Sequence, residues 1–185
     1  MHQIRKATPN DAHEAVRLLR DAADEILLFH TGSDTYEGAY PVLEQFYRLE
    51  RGRYSYKNFL VCEDAGRVVG VLLSYGSQNP QEFDEPITAH LRARGLDTEV
   101  VTEARPGELY IDTCAVAPEY RGQKIGKSLF AAAHERAQEM GLGVLSLLVD
   151  CNKRRNHDIY QRWGFADGAT IRFYGHEYQY MTKEV

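Results

Sequence analysis

Val116-Ala117-Pro118-Glu119-Tyr120-Arg121-Gly122-Gln123-Lys124-Ile125-Gly126-Lys127-Ser128-Leu129 joins an apolar run to an amphipathic one, and the fold is decided by how that junction is read. Leu109 to Val116 reads as a strand, and Gln123 to Met140 as a helix with Ile125, Leu129, Ala132, Ala133, Ala137 and Met140 turned inward at helical spacing. Gly141 supplies a stop, and Gly143 to Val149 forms another strand. A strand, a helix and a strand connected this closely make a βαβ unit with parallel strands. At its first junction, backbone N–H groups sit at the positive end of the helix dipole and glycines let a ligand approach them. Arg121, Lys124 and Lys127 add positive charge, which makes an anion site suited to a pyrophosphate.

Working toward the N-terminus, Val68 to Leu73 and Phe59 to Cys62 are short apolar runs joined by Glu63-Asp64-Ala65-Gly66-Arg67, the composition of a tight antiparallel reversal. Ile4 to Ala7 can form a strand, and Thr8-Pro9-Asn10-Asp11 carries helix-start signals. Ala12, Ala15, Val16, Leu19, Ala22, Ala23, Ile26 and Leu27 keep a 3.6-residue period, with Arg17, Arg20, Asp21, Asp24 and Glu25 opposite, so one amphipathic helix is expected. A second helix is predicted from Glu37 to about Glu50, with Pro41 near its start. Ser77 to Gly107 is polar, holds Pro80, Pro86 and Pro106, and has room for a helix around Ile87 to Arg94; loops of this length are often lids or binding loops. Beyond the βαβ unit, a short helix around Asn156 to Trp163 ends at Gly164, and Thr170 to Tyr174 and Glu177 to Met181 close the sheet.

The 185 residues include 22 Lys and Arg against 27 Asp and Glu, a formal net charge of -5, and three cysteines. One domain spanning residues 1–185 is the expectation. Mild acidity argues against a nucleic-acid partner, because phosphate-neutralising domains carry a basic face. The charged N-terminus lacks a signal-peptide core and no run approaches about 18 uncharged apolar residues, so the expectation is a soluble, cytoplasmic protein without membrane association. Cys62, Cys114 and Cys151 are far apart in apolar contexts and are expected to be buried thiols rather than a disulfide or metal framework. His30, His134, His157 and His176 lack the spacing of metal ligands, so no metal is expected.

Two nucleotide-binding patterns use a glycine-lysine junction. The P-loop, G-x-x-x-x-G-K-[ST], is missed by one residue, since Arg121 stands where its first glycine belongs. From Leu109 through Phe165 the chain instead resembles the GNAT superfamily of acetyl-CoA-dependent N-acetyltransferases. Cys114-Ala115-Val116 matches the strand end, Arg121-Gly122-Gln123-Lys124-Ile125-Gly126 the pyrophosphate loop with Lys124 in place of a glycine, and Asn152 with Ile159-Tyr160-Gln161-Arg162-Trp163-Gly164-Phe165 the second motif. The resemblance implies an α+β fold: a mixed, largely antiparallel sheet with a central parallel βαβ unit and helices on both faces. It further implies that Arg121, Gly122, Gln123, Lys124, Ile125, Gly126, Lys127 and Ser128 hold the pyrophosphate of acetyl-CoA. Cys114, Ala115 and Val116 would line its pantetheine, Asn152 or a neighbour would assist, and Tyr160 would protonate the leaving thiolate. Lys124 can compensate for the lost glycine by its charge if its φ is ordinary.

Acetyl transfer to an amine also needs a proton acceptor, since an alkyl amine is only about one part in 10³ deprotonated at pH 7. Asp112 and Glu108 share a face of the signature strand, with Asp112 the first choice of base and Glu108 the second. A parting of strands beside Cys114 to Val116 would aim backbone N–H groups at the thioester oxygen. Tyr36, Tyr40, Tyr47, Tyr54 and Tyr56 fall in the segment where the family builds its acceptor pocket, and aromatic walls would suit a cationic amine. The expected acceptor is a primary amine of a small molecule or peptide. The alternatives are a CoA-binding sensor or interaction domain without catalysis and a phosphate-loop NTPase. Exposed C-terminal sheet edges make a homodimer reasonable.

Overall fold

Side-chain alternation along the central strands sorts the interior into two layers. Phe59, Val61, Val71 and Leu73 face one apolar cluster while Leu60, Cys62 and Leu72 face the other. The computed structural model describes residues 2–23, 25–96 and 99–185, with only the backbone of Asp21 and Phe173. Among them the strands are β1 (Gln3–Lys6), β2 (Phe59–Asp64), β3 (Arg67–Tyr75), β4 (Glu108–Val116), β5 (Val144–Asp150), β6 (Ala166–Phe173) and β7 (His176–Glu184), in the spatial order β1-β2-β3-β4-β5-β7-β6. Every neighbouring pair is antiparallel except β4 and β5, which are parallel. The β2–β3 reversal has both Ala65 (φ 49°) and Gly66 (φ 79°) in the left-handed region, the twist that tight two-residue hairpins require.

Helices α1 (Ala12–Ala23), α2 (Ile26–Thr31), α3 (Tyr36–Arg48) and α4 (Glu85–Ala93) pack with the first layer. Helix α5 (Ile125–Glu139) covers the second, joined at its edge by α6 (Arg154–Arg162). The crossover between β4 and β5 through α5 is the βαβ unit expected from the sequence. The expected single N-terminal helix is instead two: α1 stops at Ala23, and Ile26 and Leu27 open α2. The break re-phases the chain so that Leu27, His30 and Thr31 are all buried. Asp24 lies outside the described residues, as does the side chain of Asp21. Cys151 is exposed, contrary to expectation, because it follows β5 into the turn at its end, whereas Cys62 is buried within β2. Among the described residues no helix is long and apolar enough to cross a membrane.

The long segment before β4 is a wall rather than a free loop, and one side chain fastens it. Arg53 is 1% exposed; its guanidinium donates to Glu103 at 2.9 Å and to the Val101 carbonyl at 3.0 Å, and lies 3.1 Å from Asp84 and 3.7 Å from Asp112. Tyr110 donates to Glu103 at 2.6 Å, Thr102 to Asp84 at 2.7 Å and Tyr75 to Asp112 at 3.0 Å. Burial opposes the charge on Arg53, but Tyr75 and the three carboxylates hold it protonated. Replacing Arg53 by methionine leaves those carboxylates without their cation and should cost about 3–5 kcal/mol at neutral pH. Burial already raises Glu103 and Asp84 above the ordinary carboxylate range. A carboxyl with a raised folded pKa binds its proton more readily folded than unfolded, so its contribution is full at low pH and is lost as pH rises through the folded value. Without the guanidinium that loss deepens. Thermal melts of Arg53→Met against wild type should therefore show a deficit that widens from pH 5 to pH 8; a pH-independent deficit would contradict this account.

Candidate active site

The two parallel strands separate. Their register runs from Glu108↔Val144 to Ile111↔Leu147 and stops, although β4 stays paired with β3 to Val116 and β5 with β7 to Asp150. The edges of 112–116 and 148–150 therefore face each other across a wedge, and a cavity of about 680 Å³ opens there. A parting at this place is what the sequence leads one to expect, and it exposes peptide groups on the cavity side of β4.

One end of the cavity is cationic. Arg121 and Lys153 line it, with Arg121 Nε donating to the Val116 carbonyl at 3.1 Å. Gly122, Gln123 and Lys124 form an exposed turn leading to the first residues of α5, where Ile125 is buried while Lys127 and Ser128 are exposed and Gly126 is half-buried. Gln123 is within 2.8 Å of His2. Gly122 has φ 81° and Lys124 φ 64°, so Lys124 does not keep an ordinary backbone: it holds the left-handed conformation a glycine adopts without strain. Its position immediately before α5 requires that sharp entry.

Next along the wedge lie Cys114, Ala115, Val116 and Tyr160. Tyr160 is fixed on α6 by ring contacts to Phe130 at 5.5 Å, Trp163 at 5.9 Å and Phe165 at 6.1 Å. Burial, with a smaller contribution from Cys114, pushes its phenol above the usual range, so it remains protonated. Burial pushes the Cys114 thiol up to about 12, which disfavours it as a nucleophile. Asn152 is exposed and its backbone N–H donates to Asp150; Asn156, one helical turn before Tyr160, lines the cavity.

The other end is acidic and aromatic. Asp112, its side chain 11% exposed, accepts from Tyr75 at 3.0 Å and from Thr113 at 2.8 Å. Glu103 also lines the cavity. Burial raises it, and the neighbouring Asp112 adds to this, against the pull of Arg53 and Tyr110. Sequence reasoning missed Glu103 because it lies in an irregular stretch without a motif; an acid three residues after the apolar Val100, in Val100-Val101-Thr102-Glu103, was the available signal. Glu108 sits at the opposite end of β4, bonded to Tyr180, and is not among the residues lining the cavity. Of the five tyrosines singled out, Tyr36 and Tyr54 reach the cavity; Tyr47 is core, and Tyr40 lies under Arg17 at 4.8 Å. His30 is buried against Tyr54 at 2.7 Å, and burial followed by Arg53 lowers its pKa well below the usual range, so it is neutral.

The model of the acetyltransferase (GNAT) family matches residues 25–165, and the chain belongs to this family. A solved acetyltransferase is 30% identical, with 99% of each chain covered and a TM-score of 0.81. An N-acetyltransferase from Staphylococcus aureus Mu50 is 21% identical over 98% of this chain and 100% of its own, with a TM-score of 0.76, and shares the fold. A Bacillus subtilis (strain 168) protein, provisionally named as a ribosomal protein bS18-alanine N-acetyltransferase, is 34% identical over 64 residues, 35% of this chain and 42% of that protein. The chain thus spans less than half the length of that curated relative.

Lys124→Gly should relieve the positive φ and stabilise the protein by about 1 kcal/mol, a rise in Tm of roughly 2–4 °C. A lowered Tm would mean that the lysine side chain contributes more than its backbone strain costs.

Proposed function

We propose that this protein transfers an acetyl group directly from acetyl-CoA to a primary amine, with both substrates bound together in the wedge. The observation that carries this reading is the junction, in one cavity, of two cations, Arg121 and Lys153, an opened strand edge, a half-buried phenol and a carboxylate. Arg121 and Lys153, with the backbone of the turn at 122–126 and the first turn of α5, would meet the pyrophosphate. The pantetheine amides would continue the ladder that β4 abandons at Ile111, pairing along Cys114 to Val116. In that position the thioester carbonyl lies beside backbone N–H groups able to stabilise the oxygen as it gains charge.

Asp112, directly or through a water, would accept a proton from the bound ammonium. The amine lone pair attacks the carbonyl carbon, the C–N bond forms, and the C–S bond breaks with its electron pair on sulfur. Tyr160 would then give the thiolate its proton, and the second proton that the nitrogen sheds as the amide forms would restore the phenol through solvent. A phenol above its ordinary pKa is a poor donor to an ordinary thiolate, but a thiolate expelled beside Cys114 meets the environment that lifts the Cys114 thiol to about 12. Donor and acceptor are therefore raised together. Cys114 has no covalent role in this scheme, because direct transfer needs no acyl-enzyme.

The Bacillus relative, by its name, acetylates an alanine amine on a ribosomal protein. It supports an amine as the acceptor class here, while the narrow, acid-lined end favours a small molecule over a protein. The chain would act as one domain in the cytoplasm. Thiol release from acetyl-CoA, followed with a chromogenic disulfide over a panel of amines, tests the reading, and no acceptor-dependent release from any amine would overturn it. Tyr160→Phe should lower kcat by about 10²-fold while leaving acetyl-CoA affinity within about twofold, and Asp112→Asn should lower kcat/KM similarly. An unchanged turnover in Tyr160→Phe removes it from the mechanism.

A further inference from the structure

Two of the three guanidinium nitrogens of Arg53 donate hydrogen bonds, and the third does not. Nη1 donates to Glu103 at 2.9 Å and Nη2 to the Val101 carbonyl at 3.0 Å, whereas the buried Nε makes no hydrogen bond. Nε lies 3.1 Å from Asp84 Oδ1, which is also buried without a hydrogen bond, and 3.7 Å from Asp112 Oδ2. A buried donor ordinarily has a partner, and one held unbonded between two acids is costly. Of those acids, Asp112 is among the residues lining the cavity and Asp84 is not.

The polar side chains around Nε are already bonded. Glu103 accepts from Arg53 on one oxygen and from Tyr110 on the other at 2.6 Å. Asp84 accepts from Thr102 on Oδ2 at 2.7 Å, and Asp112 accepts from Tyr75 on Oδ2 at 3.0 Å and from Thr113 on Oδ1 at 2.8 Å. Tyr54, beside Arg53 in the chain, is bonded to His30 of α2 at 2.7 Å, and both His30 and Tyr174 of the β6–β7 turn lie within the field of the guanidinium. The Nε–H is therefore the donor with a choice of acceptor. Moving it by about 0.7 Å would complete an N–H···O bond to Asp112. Such a bond favours the charged form of a carboxylate and weakens it as a proton acceptor.

Resting on the acetyltransferase reading, in which Asp112 takes the proton of the amine, we infer that Asp84 is a positioning residue for that step: it competes for Arg53 Nε and keeps that N–H from hydrogen-bonding Asp112. While Asp112 is charged, the guanidinium is shared between the two acids. When the ammonium N–H bond breaks, its electron pair stays on nitrogen and its proton goes to Asp112. The neutral acid then loses its pull, and Nε closes on Asp84, so the buried cation is never left unmatched. Release of the proton to water reverses the motion. Asp84 thus acts on the cavity through Arg53 without lining it.

Asp84→Asn keeps an oxygen for Thr102 and removes the competing charge, so Nε should turn to Asp112. The acidic limb of kcat/KM against pH, followed by thiol release, should move down by about one pH unit and the plateau should fall about tenfold, with acetyl-CoA affinity within about twofold. Asp84→Glu, which restores the charge, should return the limb toward wild type. A merely structural loss lowers the plateau and leaves the limb in place; that outcome, or a limb moved to higher pH, would overturn the inference. A second measurement needs neither a variant that folds nor transfer itself. In the wild-type protein the Arg53 Nε–H resonance and the Asp112 carboxyl carbon, followed by NMR against pH, should move through one shared midpoint. An Nε–H that stays still while Asp112 titrates overturns the inference and leaves the acetyltransferase reading intact. Coupled movement without thiol release from any amine supports the coupling and defeats that reading instead.

Discussion

A guanidinium buried among three carboxylates is the constraint on which the acceptor half of this structure rests. Arg53 cannot be desolvated cheaply, and it is tolerated only because Glu103 and a backbone carbonyl accept from its N–H groups while the Asp84 carboxylate lies 3.1 Å from its Nε. Those partners come from the end of α4's entry turn and from residues 99–105, so the cation draws an otherwise irregular polar segment onto the sheet. Asp112 reaches the same cluster from β4. One electrostatic knot therefore fixes the wall of the cavity and the orientation of the carboxylate best placed to act on a substrate. A hydrophobic residue in its place could fill the volume but would leave acids facing one another.

The second organising feature is topological. A parallel pair needs a crossover, and the crossover helix α5 begins where β4 ends, so the helix's positive end is delivered beside the strand edge that the parting of β4 and β5 opens. The result is a single cavity that brings Arg121 and Lys153, with Asp150 beside the latter, into the same space as Glu103 and Asp112. Placing a polyanionic co-substrate and a cationic one in the wrong halves would set like charges against each other at both ends. In the proposed reaction the field of the cavity would orient the two substrates before any specific contact forms.

What could be read from the sequence was what depends on local pattern. The βαβ unit and the β2–β3 hairpin follow from periodicity and from spacing within a few residues, while Arg121 at the loop and Tyr160 in the wedge follow from the resemblance to the family's motifs. What could not be read depended on distant partners. The break between α1 and α2 keeps helical spacing on both sides, so periodicity alone runs through it. The motif points to Asn152 or a neighbour, and only the helical turn of α6 brings Asn156 into the cavity. Glu108 and Asp112 share a strand face, yet a four-residue offset along β4 places the first beside Tyr180, outside the wedge. Glu103 and Arg53 are fifty residues apart in a stretch without any motif, and nothing short of the fold pairs them.

The same burial has opposite chemical consequences at neighbouring positions. Around Cys114 and Tyr160 it acts on groups without a countercharge, so both keep their protons: the thiol is made inert, and the phenol would be the acid of the proposed reaction. Around Glu103 and Asp84 it acts against a nearby cation, and the acids are raised only as far as Arg53 allows. The sulfur side of the wedge is therefore apolar and the nitrogen side ionic. The proposed transfer would use that division: the departing thiolate would gain a proton in the half where charge is least welcome, and the amine would lose one in the half where Arg53 and its carboxylates already hold charge.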